Sequence, residues 1–198
     1  MEFQEVVRRR RMVRNFTGEP LDPAVRDRIL GNALHAPSAG FSQGWAFLVL
    51  ESAADREKFW EVTGGAGGEP DNWLAGMRRA PLIVVALSCK DAYLDRYAES
   101  DKGWTDRDES RWPVPYWHID AGMAALLMLL TAVDEGLGAC FFGIPPEWTT
   151  SFREAFGVPA THDPIGALAI GARDADRRSP SLKRGRRPLE EVVHHGRW

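Results

Sequence analysis

The chain lacks most of the residues that would commit it to a familiar chemistry. Its only cysteines are Cys89 and Cys140, both in apolar runs and with no Cys-x-x-Cys pair. That excludes a disulfide framework and reads as two buried thiols in a reducing compartment. There is no Gly-x-Ser-x-Gly elbow, and only His35 lies near Ser38, so nothing favours a hydrolytic triad. No strand, Gly-x-Gly-x-x-Gly turn and helix open the chain, which disfavours a dinucleotide-binding doubly wound sheet. Gly64-Gly65-Ala66-Gly67-Gly68 has no leading strand and no following Gly-Lys-Ser/Thr, so it reads as a turn rather than a phosphate loop. His118 and Asp120 fall on different faces of a helix and His194-His195 sit near the end. None has zinc-ligand spacing, and His35 and His162 read as ordinary polar or capping residues, so no metal is expected. The longest apolar stretch, Ala121 to Val133, is too short to span a bilayer, and Met1 to Glu5 carry no apolar leader. The net charge of -3 gives no global field for nucleic acid. A cytoplasmic protein with no membrane or nucleic-acid partner is expected.

What is present suits one ordinary globular domain over residues 1–198, with 44% hydrophobic and 27% charged residues. Glu2 to Arg10 reads as a helix with Phe3, Val6 and Val7 facing inward. Asp22 and Pro23 open a second helix that runs to His35-Ala36. Trp45 to Glu51, Pro81 to Ser88, Ala139 to Phe142 and Pro164 to Gly171 read as strands, with helices at Ala53 to Val62 and Thr149 to Phe156. Tyr116 to Glu135 predicts the longest helix, apolar on nearly every side. It is either the centre of a monomer core or buried further by a second subunit. Asp91 to Trp112 is polar yet holds Tyr93, Tyr97, Trp104 and Trp112, and reads as an excursion over a binding cleft, its aromatics serving either as anchors or as ligand contacts.

Two features point to a ligand. One is the small, polar loop Ala36-Pro37-Ser38-Ala39-Gly40-Phe41-Ser42-Gln43-Gly44 at a junction of helix and strand, where hydroxyl and amide groups can meet a flat polar molecule. The other is the pair of basic clusters. Arg8, Arg9, Arg10, Arg11 and Arg14 lie near the start, and Arg173, Arg177, Arg178, Lys183, Arg184, Arg186 and Arg187 near the end. These clusters are either solvated tails or two halves of one anion site. Arg10 and Arg14 would share a face if the first helix continued, and guanidinium groups suit phosphate.

Four segments then resemble one family in order. Arg10-Arg11-Met12-Val13-Arg14-Asn15-Phe16 resembles the R-R-S-x-R-x-F opening of flavin-dependent nitroreductases. Pro37 to Trp45 is similar to their P-S-x-x-N-x-Q-P-W loop, Gly136 to Gly143 to G-L-G-x-C-W-x-G, and Arg186 to Val193 to a terminal R/K-R/K-P-L-x-E-x-V run. The resemblance implies an α+β fold with a central, mostly antiparallel sheet surrounded by helices. It also implies an intertwined homodimer with FMN at the subunit interface, and NAD(P)H as reductant.

Carried over by position, Arg10, Arg11 and Arg14 would meet the flavin, Arg10 at the phosphate or ribityl end and Arg14 at the pyrimidine edge. Ser38 and Gln43 would approach from the partner subunit, Gly143 and Ile144 would lie near N5, and Arg186 or Arg187 would hold the phosphate. Phe41, Trp104 and Trp112 are candidate substrate-side aromatics, Phe41 alternatively packing beneath its loop. Met12 stands where the family has Ser, Phe41 where it has Asn and Gly44 where it has Pro. The Gly-Phe-x-Gln form is also similar to the flavin-destructase branch, 5,6-dimethylbenzimidazole synthase. The implied activity is ping-pong electron transfer from NAD(P)H to a nitroaromatic, quinone or other small conjugated acceptor. The alternatives are an oxygen-dependent flavin oxidase or dehydrogenase, a flavin-destructase and a non-catalytic flavin-binding protein.

Overall fold

A computed structural model describes residues 1–65, 72–175 and 179–198. Ala66 to Gly68, Arg177 and Arg178 therefore lie outside the described residues. Four antiparallel strands form one sheet: β1 (Trp45–Leu50), β2 (Leu82–Cys89), β3 (Gly138–Phe142) and β4 (His162–Gly171), in the order β1-β2-β4-β3. The two central strands explain the apolar runs. Along β2, Leu82, Val84 and Ala86 face one side while Ile83, Val85 and Leu87 face the other, and both sides are buried. Covering both faces requires apolar residues at every position rather than at alternate ones.

Among the described residues seven α-helices complete this α+β fold. On one face lie α3 (Ala53–Trp60), α4 (Asn72–Arg78) and α7 (Thr149–Phe156), contributing Phe59, Trp60, Met77 and Phe152. On the other lie α2 (Pro23–Ala33) and α6 (Tyr116–Asp134), with Ile29, Ala33, Ala124 and Met128 against the sheet. Helix α2 starts as its sequence predicts: Pro23 is in the first turn and the Asp22 carboxylate accepts the Ala24 N–H at 2.8 Å. Helix α6 is long and apolar enough to cross a membrane, but here it is the core helix of the α2 layer. Its outer face still carries exposed Ile119 and Leu126.

Three expectations need correction. Helix α1 (Phe3–Arg9) buries Val6 alone, leaving Phe3 and Val7 exposed. It also ends before Arg10, so Arg10 and Arg14 do not share a helical face. Burial decides this: Met12 bridges to Ala139, the Val13 N–H reaches the Ala139 carbonyl at 2.9 Å, and Val13 and Phe16 enter the core. The pairing with Ala139 takes the Val13 N–H away from an intrahelical partner and commits this backbone to an extended path beside β3. Finally, residues 91–112 are not a loose cover. Most of the first half is helix α5 (Lys90–Ala98), and its aromatics anchor the segment. Trp112 packs on Tyr93, Tyr97, Trp104, Tyr116 and Trp117 at centroid distances of 4.6–6.2 Å.

Candidate functional site

Three segments converge at the β3 edge of the sheet. The extended stretch after α1 brings Arg14 and Asn15, α4 brings Gly76 and Arg79, and the chain after β4 brings Ala175 and Ser179. Together they line a cleft of about 690 Å³. The walls are tied to one another. The Asn15 amide donates to the Ala175 carbonyl at 2.6 Å, its oxygen accepts from Arg79, and Arg79 pairs with Asp174 at 3.1 Å. Gly76 is needed where it is: a Cβ there would run into the Arg14 carbonyl and come within 3.0 Å of the Asn15 side-chain oxygen. Arg14 is half-buried and donates to the Met12 carbonyl at 3.3 Å. This cleft offers a cation and several polar groups held in place.

A second cavity of about 280 Å³ adjoins it, with Trp73 lining both. Its walls include Trp60, Phe142, Gly143 and Ile144, and none of its described lining residues ionises. Trp60 stacks on Phe142 at 5.4 Å, and Trp73 stands edge-on to both, at 6.2 Å and 5.9 Å. The Trp60 indole N–H is buried with no hydrogen-bond partner among the described residues. Polar donors on one side and flat aromatic walls on the other suit a planar ligand with a charged or polar end. Sequence reasoning missed Asn15, Trp73 and Arg79 because their common position depends on how three remote segments pack. Trp73, an aromatic in a polar stretch, was the one available signal.

The predicted loop lies elsewhere. Residues 38–44 lead into β1, at the opposite edge of the sheet from β3, three strand spacings or about 14 Å away. Their hydroxyls serve the loop itself: Ser38 Oγ accepts the Gln43 N–H at 3.0 Å and Ser42 Oγ donates to the Ala39 carbonyl at 2.7 Å. Gly40, Phe41 and Gln43 adopt φ of 61°, 57° and 49°. Such conformations cluster at functional sites when the surroundings hold them. Gln43 is exposed, and Phe41 is 75% exposed, so its ring does not pack beneath the loop.

Arg10 is half-buried and Arg11 exposed, and neither lines the two cavities. Met12, in the family's Ser position, turns its sulfur to the Phe141 N–H at 3.4 Å and packs with the core. Arg186 and Arg187 lie on an exposed terminal arm, where Arg187 pairs with Glu191 at 3.2 Å. Trp104 and Trp112 belong to the α5 aromatic cluster and line neither cavity. One chain thus joins Arg14 with Gly143 and Ile144, and leaves Ser38, Phe41 and Gln43 at the other edge.

The model of the Nitroreductase family matches residues 7–172. A protein of Methanothermobacter thermautotrophicus, provisionally named an NADH dehydrogenase/NAD(P)H nitroreductase, is 25% identical over 203 residues, covering 100% of this chain and 88% of that protein. A nitroreductase family protein from Clostridium difficile aligns over 100% of both chains with a TM-score of 0.72 and 22% identity. A structure from Staphylococcus epidermidis, provisionally named an NAD(P)H:FMN oxidoreductase, aligns over 98% of this chain and 95% of that one, with a TM-score of 0.73 and 18% identity. The two structures establish a shared fold.

Proposed function

Because the chain belongs to the nitroreductase family, we propose that it is an FMN-dependent oxidoreductase. In this reading it carries electrons from NAD(P)H to a small conjugated acceptor such as a nitroaromatic or a quinone, in ping-pong order. The observation that carries this reading is the shared Trp73 wall between the Arg14 cleft and the Gly143–Ile144 cavity. The residues fit the cofactor: a half-buried guanidinium beside a glycine-lined approach suits a polar ring edge, and the aromatic cavity suits a flat reactant. When bound, FMN supplies a centre that accepts hydride from a nicotinamide and releases electrons to a second substrate.

This chain's residues would act as follows. Arg14 would stabilise negative charge at the pyrimidine edge. The backbone N–H groups of Gly143 and Ile144 would offer donors near the reacting position. Trp60, Trp73 and Phe142 would exclude water and favour uncharged planar acceptors. Arg186 or Arg187, with Arg10, would neutralise the phosphate, and Arg11 would contribute less directly. Ser38 and Gln43 would come from a second copy. The sheet-edge separation supports a homodimer, since two copies can set the β1-edge loop of one against the β3-edge cleft of the other. Exposed Phe3, Val7, Ile119 and Leu126 offer apolar surface for that contact. The reduced thiols of Cys89 and Cys140 accord with a cytoplasmic setting.

Anaerobic mixing of the flavin-loaded protein with NADH and with NADPH tests the reading. Rapid bleaching of the visible flavin absorbance by one of them, and its return on adding menadione, is the expected result. Flavin that stays oxidised with both nucleotides would instead favour an oxidase, a destructase or a non-catalytic binder.

A further inference from the structure

The strained loop at the β1 edge is held by a single buried carboxylate. Asp120, in the second turn of α6, is 2% exposed. Its Oδ2 accepts two hydrogen bonds, from the Ala39 N–H at 2.8 Å and from the Tyr93 hydroxyl at 2.8 Å. Both donors are neutral. Burying a carboxyl group costs hydration, and two neutral donors to one oxygen return only part of it. The α6 interior could be filled more cheaply by a leucine, so packing alone does not explain an acid at this position.

What the acid does is visible in its partners. Ala39 opens the turn in which Gly40, Phe41 and Gln43 all take positive φ. A bulky residue such as Phe41 holds that conformation only where its surroundings leave no alternative. Asp120 fixes the turn's first N–H, and Arg96 Nε donates to the Gly40 carbonyl at 2.9 Å. The Tyr97 ring lies so close that a Cβ on Gly40 would approach it to 2.5 Å. The Tyr93 ring, fully buried, supports both Asp120 and Gly44. Asp120 Oδ2 thus joins α5, α6 and the loop at one point, beside the Arg96 and Tyr97 contacts at Gly40, and the loop leaves Phe41 and Gln43 exposed.

We propose that Asp120 is a positioning residue: it sets the shape of the Ser38–Gly44 loop and so the presentation of Phe41 and Gln43 to flavin and acceptor. The inference rests on the reading above that this loop faces the flavin. Because both bonds end on Oδ2, Asp120→Asn can keep the shared acceptor by placing its amide oxygen there, whereas Asp120→Ala removes it.

The test compares wild type, Asp120→Ala and Asp120→Asn by three measurements. These are hydrogen exchange at the Gln43 amide in flavin-free protein, the FMN dissociation constant from flavin fluorescence, and thermal unfolding. Asp120→Ala is expected to speed Gln43 exchange and weaken FMN binding by about tenfold or more. Asp120→Asn should stay within about threefold of wild type on both. Unchanged exchange and affinity in Asp120→Ala would overturn the proposal. So would equal losses in both variants that simply follow a lowered melting temperature, since those mark a general packing role. If Asp120→Ala does not fold, Ala39→Pro removes only the donated N–H. Ser38 at ψ 145° already accepts a following proline. Faster Gln43 exchange and weaker FMN binding are again expected, and wild-type values for both would overturn the idea. Failure of wild type to bind FMN would defeat the flavin reading, while the Gln43 exchange comparison would still decide whether Asp120 shapes the loop.

Discussion

The Ser38–Gly44 loop and the arm after Ser179 both belong to the proposed flavin site, yet they are built in opposite ways. The loop is tied to α5, α6 and β2 through Asp120, Arg96 and the Cys89 N–H, which reaches the Gly44 carbonyl at 2.7 Å. Among the described residues the arm's side-chain bonds stay within it, between Ser179 and Ser181 and between Arg187 and Glu191. Leu182, Leu189 and Trp198 are 66%, 72% and 99% exposed. The loop's shape is thus folded into its own chain before any ligand arrives. The arm carries apolar side chains that its own body does not cover, so its placement depends on a second surface. Pre-organised contacts bind without further ordering cost, whereas contacts on an arm that must first be ordered do not.

Deleting residues 180–198 should break the comparison most strongly. The exposed arm contributes little to the body, so the flavin-free protein should keep its circular dichroism and unfold within about 1 kcal/mol of wild type. FMN affinity should fall about tenfold to a hundredfold with the loss of the charged phosphate contact from Arg186 or Arg187, and sedimentation should show a weakened dimer. Full flavin retention by the truncated chain would show that the arm is dispensable and that Arg186 and Arg187 have no part in the site.

The loop should respond in the reverse sense to Gly44→Ala. A Cβ at Gly44 would strike the Tyr93 ring and approach the Cys89 carbonyl to 2.8 Å, and neither can move cheaply because both belong to packed elements. Overpacking of this kind costs about 1–3 kcal/mol, or a fall in Tm of about 2–4 °C for each kcal/mol in a chain of this size. Calorimetry on flavin-free protein measures it directly. A melting temperature equal to wild type would mean the loop is far less constrained than its contacts suggest. The same contacts explain why glycine replaces the family's proline: Tyr93 occupies the space that a larger residue would need.

Elements whose burial is decided locally were legible from sequence. Strand β2 is apolar from Leu82 to Leu87 because both faces are covered, and α2 announces its start through Asp22 and Pro23. Helix α6 was evident from composition. The end of α1 was not, because Val13 is paired by Ala139 of β3 and Phe16 by Arg173 just after β4, both more than a hundred residues away. In the site, Arg14, Gly143 and Ile144 were reachable through motifs, but Trp73, Asn15 and Arg79 became neighbours only through tertiary packing. Asp120 did leave a trace, as an acid directly before the apolar run that begins at Ala121. Weighed only as a metal ligand beside His118, it was dismissed. Its partners turn out to be Ala39 and Tyr93, while His118 Nδ1 lies 2.7 Å from the Ser88 hydroxyl.

The smallest expected effect sharpens the account of the loop through pH. Burial, reinforced by the hydrogen bond to Asp120, holds the Tyr93 hydroxyl well above the usual tyrosine range. The folded state therefore keeps a proton that the unfolded chain releases above about pH 10. Where the native state binds more protons than the unfolded state, stability falls as pH rises, by at most about 1.4 kcal/mol per pH unit for one group. Tyr93 should thus contribute its full stabilisation below pH 10 and lose it progressively above. Tyr93→Phe lacks this titration. Its urea-unfolding free energy should be lower than wild type at pH 8, since the Asp120 hydrogen bond is gone, and the gap should narrow between about pH 10 and pH 11. A gap that stays constant across that range would mean that Tyr93 ionises as readily in the folded chain as in the unfolded one, and that its bond to Asp120 does not clamp the loop.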